Sequence, residues 1–187
     1  MPDARISENE HFRWVGKRIF EEASYLKMND HKSAIRFCQS IMGEITHGTD
    51  APKWVLEMWK PDSRRASVVK VNSDGSFQIF IPEEKWKGTE ADKTFLIMKL
   101  FAQSLIYANN GGYYIDDPTY WFNHSYADSK AEYAAACMLL PPEVYAEKIH
   151  HYSSDELTIE LKQMAEDLHW PYEKLLWWGQ TLGIIER

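Results

Sequence analysis

Two cysteines in 187 residues are too few for a disulfide framework, and Cys38 and Cys137 both fall in helical, mostly apolar patterns. They read as core residues, because thiols are among the most often buried side chains. No uninterrupted apolar stretch approaches the length of a membrane span, and the opening MPDARISENE has no signal-peptide core. A cytoplasmic protein with no membrane partner is expected. Basic charge is also scarce: 21 Lys and Arg stand against 28 Asp and Glu, a formal −7. That balance argues against general nucleic-acid binding, which needs clustered cations to displace counterions from phosphates. The short cluster Lys60, Arg64 and Arg65 lies beside Pro61 and Asp62 and reads as a solvated turn. The acids are scattered among lysines, so the chain is no obvious mimic of DNA either. It contains no Ser or Cys nucleophile elbow, no phosphate-cradling Gly loop and no Cys-x-x-Cys zinc pair.

What remains is the composition of an ordinary globular protein, 44% hydrophobic and 26% charged. The length suffices for one domain over residues 1–187, with an N-terminal helical part (1–50) and a core with a C-terminal helix pair (51–187). Phe12, Val15, Ile19 and Phe20 recur at helical spacing, so Glu8 to Lys27 is expected to be an amphipathic helix. Asp30 offers an N-cap for a second helix through Phe37, Ile41 and Ile45. Trp54 to Trp59, Ala66 to Val71 and Phe77 to Ile81 are β-rich, and Ser73-Asp74-Gly75 has the chemistry of a hairpin turn. Pro82 closes that hairpin. Helices are then expected over Lys93–Asn109, Ser129–Leu140, Pro142–His150, Asp155–Leu168 and Pro171–Leu182. Between the first two lies a long aromatic loop, opened by Asn109-Asn110-Gly111-Gly112.

The segment KAEYAAACMLLP, Lys130 to Pro141, resembles the second signature of the ImmA/IrrE-type zinc peptidases, roughly E-A-E-Y-F-A-A-x-L-L-M-P. FLIMKLFAQS, Phe95 to Ser104, occupies the place of that family's F-T-L-A-H-E-L-G-H-Y helix. The tail Leu161 to Ile185, ending in L-x-x-L-G-x-I, is similar to the family's last two helices. The resemblance implies an α+β, zincin-like fold: mostly helical, with a small three-stranded sheet, an N-terminal helical hairpin and C-terminal helices. It also implies that the chemistry has been lost. The two metal-binding His positions fall on Lys99 and Gln103, the catalytic Glu on Leu100 and the third ligand on Lys130. Zinc hydrolysis needs two imidazoles one turn apart, a carboxylate ligand and a Glu that activates the bound water. Ammonium repels the dication, amide is a poor ligand and Leu accepts no proton.

The expected function is therefore protein binding by a pseudoenzyme without cofactor. The resemblance implies a place in phage or mobile-element regulation, with a helix-turn-helix regulator or a host-defence component as partner. At least one of Lys99 and Lys130 is expected to find a carboxylate, bind an acidic group of a partner or titrate with a lowered pKa, since paired ammonium groups repel. Two surfaces are candidates for the partner. Phe77, Ile79 and Ile81 belong to the strand before the former metal helix, which in the zincin scaffold lies along the cleft and takes a peptide by strand addition. Tyr113, Tyr114, Tyr120, Trp121 and Phe122 cluster in the aromatic loop. Alternatives are a toxin-antitoxin component and an active metal-dependent hydrolase using an unrecognised site such as His124, Asp128 and Glu132. Those three are spaced four apart, although Asp128 or Ser129 reads better as a helix N-cap. The adjacent His150 and His151 diverge by about 100° on a helix and better suit a helix C-terminus, as does His47. Of the Trp177-Trp178 pair, one indole is expected to pack inward, with the other half covered or exposed.

Overall fold

The computed structural model describes residues 13, 16–21, 30–45, 54–59, 68–71, 77–109, 124–149 and 157–186. Among them the chain is mostly helical. Residues 16–21 form α1, followed by α2 (His31–Ile45), β1 (Trp54–Trp59), β2 (Val68–Val71), β3 (Phe77–Pro82) and a 3-10 turn at Glu83–Trp86. Then come α3 (Glu90–Asn109), α4 (His124–Leu139), α5 (Pro142–Ile149), α6 (Leu157–Asp167) and α7 (Tyr172–Thr181). None of the described helices is long and apolar enough to cross a membrane. The aromatic loop with Tyr113, Tyr114, Tyr120, Trp121 and Phe122 lies outside the described residues, as do His47, His150, His151 and the turn Ser73-Asp74-Gly75.

The chain divides into two compact units, Met1–Tyr25 with Tyr133–Arg187, and Leu26–Glu132. The division runs across the expected helical hairpin: α1 belongs with the C-terminal helices, and α2 with the sheet and α3. The boundary between the units falls inside α4. Local periodicity reveals that two segments are helical, but not which surfaces bury them.

In the Leu26–Glu132 unit, Asp30 Oδ1 accepts the Ser33 backbone N–H at 2.7 Å and caps α2 as expected. The sheet order is β1-β3-β2, with β1 parallel and β2 antiparallel to β3. Trp54 pairs with Phe77 and Met58 with Ile81 on one side, while Val68 pairs with Phe80 and Val71 with Phe77 on the other. This corrects the expectation for Phe77, Ile79 and Ile81. Their strand is central, its hydrogen-bonding edges are taken by β1 and β2, and a peptide finds no vacant ladder there. Ile79 and Ile81 are moreover fully buried, and the Phe77 side chain lies outside the described set. The hairpin signal identified which strands pair, but not that a parallel β1 would close the second edge.

Two helix starts also differ from the expectation. α3 begins at Glu90 rather than Lys93, because Thr89 and Asp92 form a capping box. Asp92 Oδ2 accepts the Thr89 N–H at 2.8 Å, and Thr89 Oγ1 accepts the Asp92 N–H at 3.2 Å. α4 begins at His124, which places Asp128 and Ser129 inside the helix rather than at its N-cap. Side chains suited to capping also sit in a helix interior when the preceding residues can continue the helix.

The other unit is held by close backbone approach and by buried donors. Ala134, Ala135, Ala136 and Cys137 of α4 are fully or almost fully buried. A Cβ on Gly16 of α1 would lie 2.5 Å from Cys137 Cβ and 2.9 Å from its carbonyl oxygen. Burial pushes the Cys137 thiol up to about 12, which makes it inert packing. Arg13 Nε donates to Tyr133 Oη at 2.9 Å. Trp178 is completely buried, and its indole N–H donates to the Leu140 carbonyl at 2.9 Å, satisfying an acceptor just beyond the end of α4. Trp177 stacks on it at 5.9 Å and is only half covered, so the Trp pair divides as expected. Tyr145 Oη donates to Leu175 O at 3.1 Å, joining α5 to α7. The chain then turns at Gly183, whose φ of 70° is the left-handed conformation that closes helix ends.

Gly16→Ala and Ala135→Phe both force new atoms into these contacts. Each is expected to destabilise the protein by about 1–3 kcal/mol, read from denaturant midpoints; an unchanged midpoint for Ala135→Phe would mean that this face of α4 is open.

Candidate functional site

The site positions on α3 follow from its circumference. Phe95, Ile97, Met98, Leu100, Phe101 and Ala102 are buried. Beyond the first turn, the described residues left half open, Leu96, Lys99 and Gln103, line up with Asp92, and at 100° per residue the four fall within about 60° of one another. Lys99 and Gln103 are therefore one turn apart on the same face, both half covered. Leu100 lies off the stripe and is only 1% exposed. Where the resemblance puts a proton-accepting Glu, the protein has a core side chain.

Lys99 reaches across to α4. Its Nζ lies 3.5 Å from Glu132 Oε1, with side chains 16% and 24% exposed. Partly withdrawn from water, such a pair attracts more strongly than a surface pair. The expectation that one ammonium finds a carboxylate is met here. The α4 residue in contact is Glu132 rather than Lys130, and two residues correspond to about 200° of helical rotation. The α3–α4 contact thus uses a different side of α4 from the one that the resemblance assigns to the third ligand. Lys130 itself is half buried.

Chemically, Lys99 with Glu132 is a charge pair without Lewis acidity, and neither Leu100 nor Gln103 offers a general base. Among the described residues, no group of three His, Cys, Asp or Glu side chains could hold a metal ion. Of the alternative ligand set, Glu132 is engaged with Lys99. His124 and Asp128 belong to α4 by their backbone, but their side chains lie outside the described set.

A second polar cluster went unrecognised in the sequence. His31 Nδ1 lies 2.6 Å from Glu90 Oε2, and Lys93 Nζ donates to Glu90 Oε1 at 3.1 Å. The His31 backbone N–H also points at this carboxylate, at 3.4 Å, so Glu90 sits at the N-terminal end of α2, where a negative charge is favoured. The His31 ring meets Trp86 edge-on at 5.0 Å, and Lys93 lies over the same indole at 5.7 Å. The hydrogen bonds from His31 and Lys93 pull the Glu90 carboxyl down to about 2. The Thr89-to-Asp92 capping pattern could have located the start of α3, but no sequence signal joins Glu90 to His31, 59 residues away.

No protein-family model matches the chain, and a search among curated proteins finds no match.

A double-mutant cycle with Lys99→Met and Glu132→Gln is expected to give a coupling of about 1 kcal/mol in unfolding free energy; zero coupling would show that the pair holds nothing together. For Glu90, the folded-state value lies below the ordinary 4.5, so its contribution is complete above that pH and is lost as pH falls toward 2. The melting-temperature advantage of the wild type over Glu90→Gln should therefore be steady near neutrality and shrink across this acid window. A difference independent of pH would contradict the hydrogen-bonded carboxylate.

Proposed function

We propose that this chain is a catalytically inactive, zincin-like relative of the ImmA/IrrE-type peptidases that acts by binding another protein. Its setting is phage or mobile-element regulation, where it either holds a helix-turn-helix regulator or inhibits a host-defence component. The observation that carries this reading is the ion pair between Lys99 and Glu132. In a zincin, the metal helix and the third-ligand helix are joined through a dication. Here an ammonium from α3 is matched directly by a carboxylate from α4. Leu100 in the core supports the same reading, because a buried aliphatic side chain cannot be exchanged for a working general base without placing a charge in apolar surroundings.

The test is elemental analysis of protein purified without a His tag and dialysed against trace zinc. The wild type is expected to retain no stoichiometric metal and to leave a helix-turn-helix repressor uncleaved. The double variant Lys99→His and Gln103→His places two imidazoles one turn apart beside Glu132 while leaving Leu100 in the core, and it is expected to retain zinc. Near-stoichiometric zinc in the wild type would overturn the proposal.

A further inference from the structure

α5 and α6 enclose a groove of about 510 Å3, lined by Val144, Glu147 and Lys148 from α5 and by Glu160, Gln163, Met164 and Asp167 from α6, with Leu168 just beyond. The α6 positions follow the spacing i, i+3, i+4, i+7 and i+8, which is one continuous helical face. Val144, Met164 and Leu168 are half-buried and form an apolar floor, while Glu147 and Asp167 stand exposed at the rim. Three carboxylates face one ammonium. Gln163 Nε2 donates to Asp167 Oδ1 at 3.0 Å, which holds that carboxylate in place along the rim. Ile159, 71% exposed, is the one large hydrophobic side chain fully open to solvent among the described residues, and it precedes Gln163 by one turn.

We infer that this groove docks a basic amphipathic helix of a partner protein. The inference rests on the protein-binding reading above and adds the chemistry of what is bound. The charge selects the occupant: three acids against one lysine favour Lys or Arg and repel phosphate, so a nucleic acid or an anionic lipid surface is disfavoured. A second copy of this chain is disfavoured too, since its own formal charge is −7. The shape selects a helix. The α6 wall from Glu160 to Leu168 runs about 12 Å, or two turns. Met164 and Leu168, one turn or about 6 Å apart, form with Val144 a short apolar floor that accepts two anchors at i and i+3 or i+4 of an incoming helix. Met164 gives the floor a flexible side chain that adjusts to the anchors, and Ile159 extends the apolar contact past the rim.

The probe is a synthetic amphipathic helix with Leu along one stripe and Lys and Arg on its flanks, compared with a twin carrying Glu in place of every Lys and Arg. Fluorescence anisotropy at low salt should show saturable binding of the basic helix and none of the acidic twin. The variant Glu147→Lys, Glu160→Lys and Asp167→Lys should weaken binding by about tenfold or more. Lys148→Glu should tighten it, a gain that misfolding cannot produce. Absence of saturable binding, equal binding of the two helices, or affinity unmoved by either variant would overturn the inference. So would binding of spermine at these carboxylates without binding of the helix, which would make the groove a small-polycation site. Zinc in the wild type would sink the pseudoenzyme reading and leave a positive groove result standing. A failed groove test would leave the zinc result untouched.

Discussion

Everything in the Leu26–Glu132 unit depends on α3 being apolar around most of its circumference. A helix with one greasy stripe needs one neighbour; α3 needs cover on several sides, and it packs with α2 and β2. The Cys38 thiol of α2 reaches Met98 of α3, with the sulfurs 3.9 Å apart. Burial raises the Cys38 thiol well above its ordinary range, so it acts as a small hydrophobe. Past the Glu90 and Lys93 cluster at its N-terminus, α3 leaves a half-open stripe from Asp92 to Gln103 where polar chemistry persists. It is where Lys99 stands.

The unit of Met1–Tyr25 and Tyr133–Arg187 obeys a different constraint, the distance at which backbones meet. The alanines after Tyr133 and the glycine at position 16 remove the side chains that would hold α1 off α4. Large side chains return where space allows. Trp178, Tyr145 and Leu175 fill the volume between α5, α7 and the end of α4, and each buried N–H or O–H of the first two finds a carbonyl. The same helices leave α6 with one face toward this core, through Leu161 and Ala165, and another toward the acidic groove.

On the proposed reading, function is a matter of which interactions stand in place of a metal site. A metal site concentrates positive charge at a point and is rigid because several ligands share one ion. An ammonium and a carboxylate 3.5 Å apart supply attraction between the same two helices with no reactive centre. On that reading, recognition is carried by surfaces elsewhere. The acid-rimmed groove has the features such a surface needs: apolar side chains, a net negative charge and a carboxylate held by its neighbour.

Much of this was legible in the sequence, because periodicity, caps and breakers act over a few residues. The helical segments, the Asp30 cap, the β2–β3 hairpin, the burial of both cysteines and the division of labour in the Trp pair all follow from spacings of one to four positions. The Thr89 and Asp92 box was equally local and readable, although the helix was expected three residues later. What only the tertiary structure decided are pairings between residues far apart in the chain. These are β1 closing the second edge of β3, Glu132 rather than Lys130 meeting Lys99, His31 finding Glu90, and α1 parting from α2. Local patterns specify which face of an element is apolar, but many neighbours could cover that face equally well. Packing the whole chain at once selects one of them, because steric exclusion and the pairing of buried polar groups are properties of the assembled core.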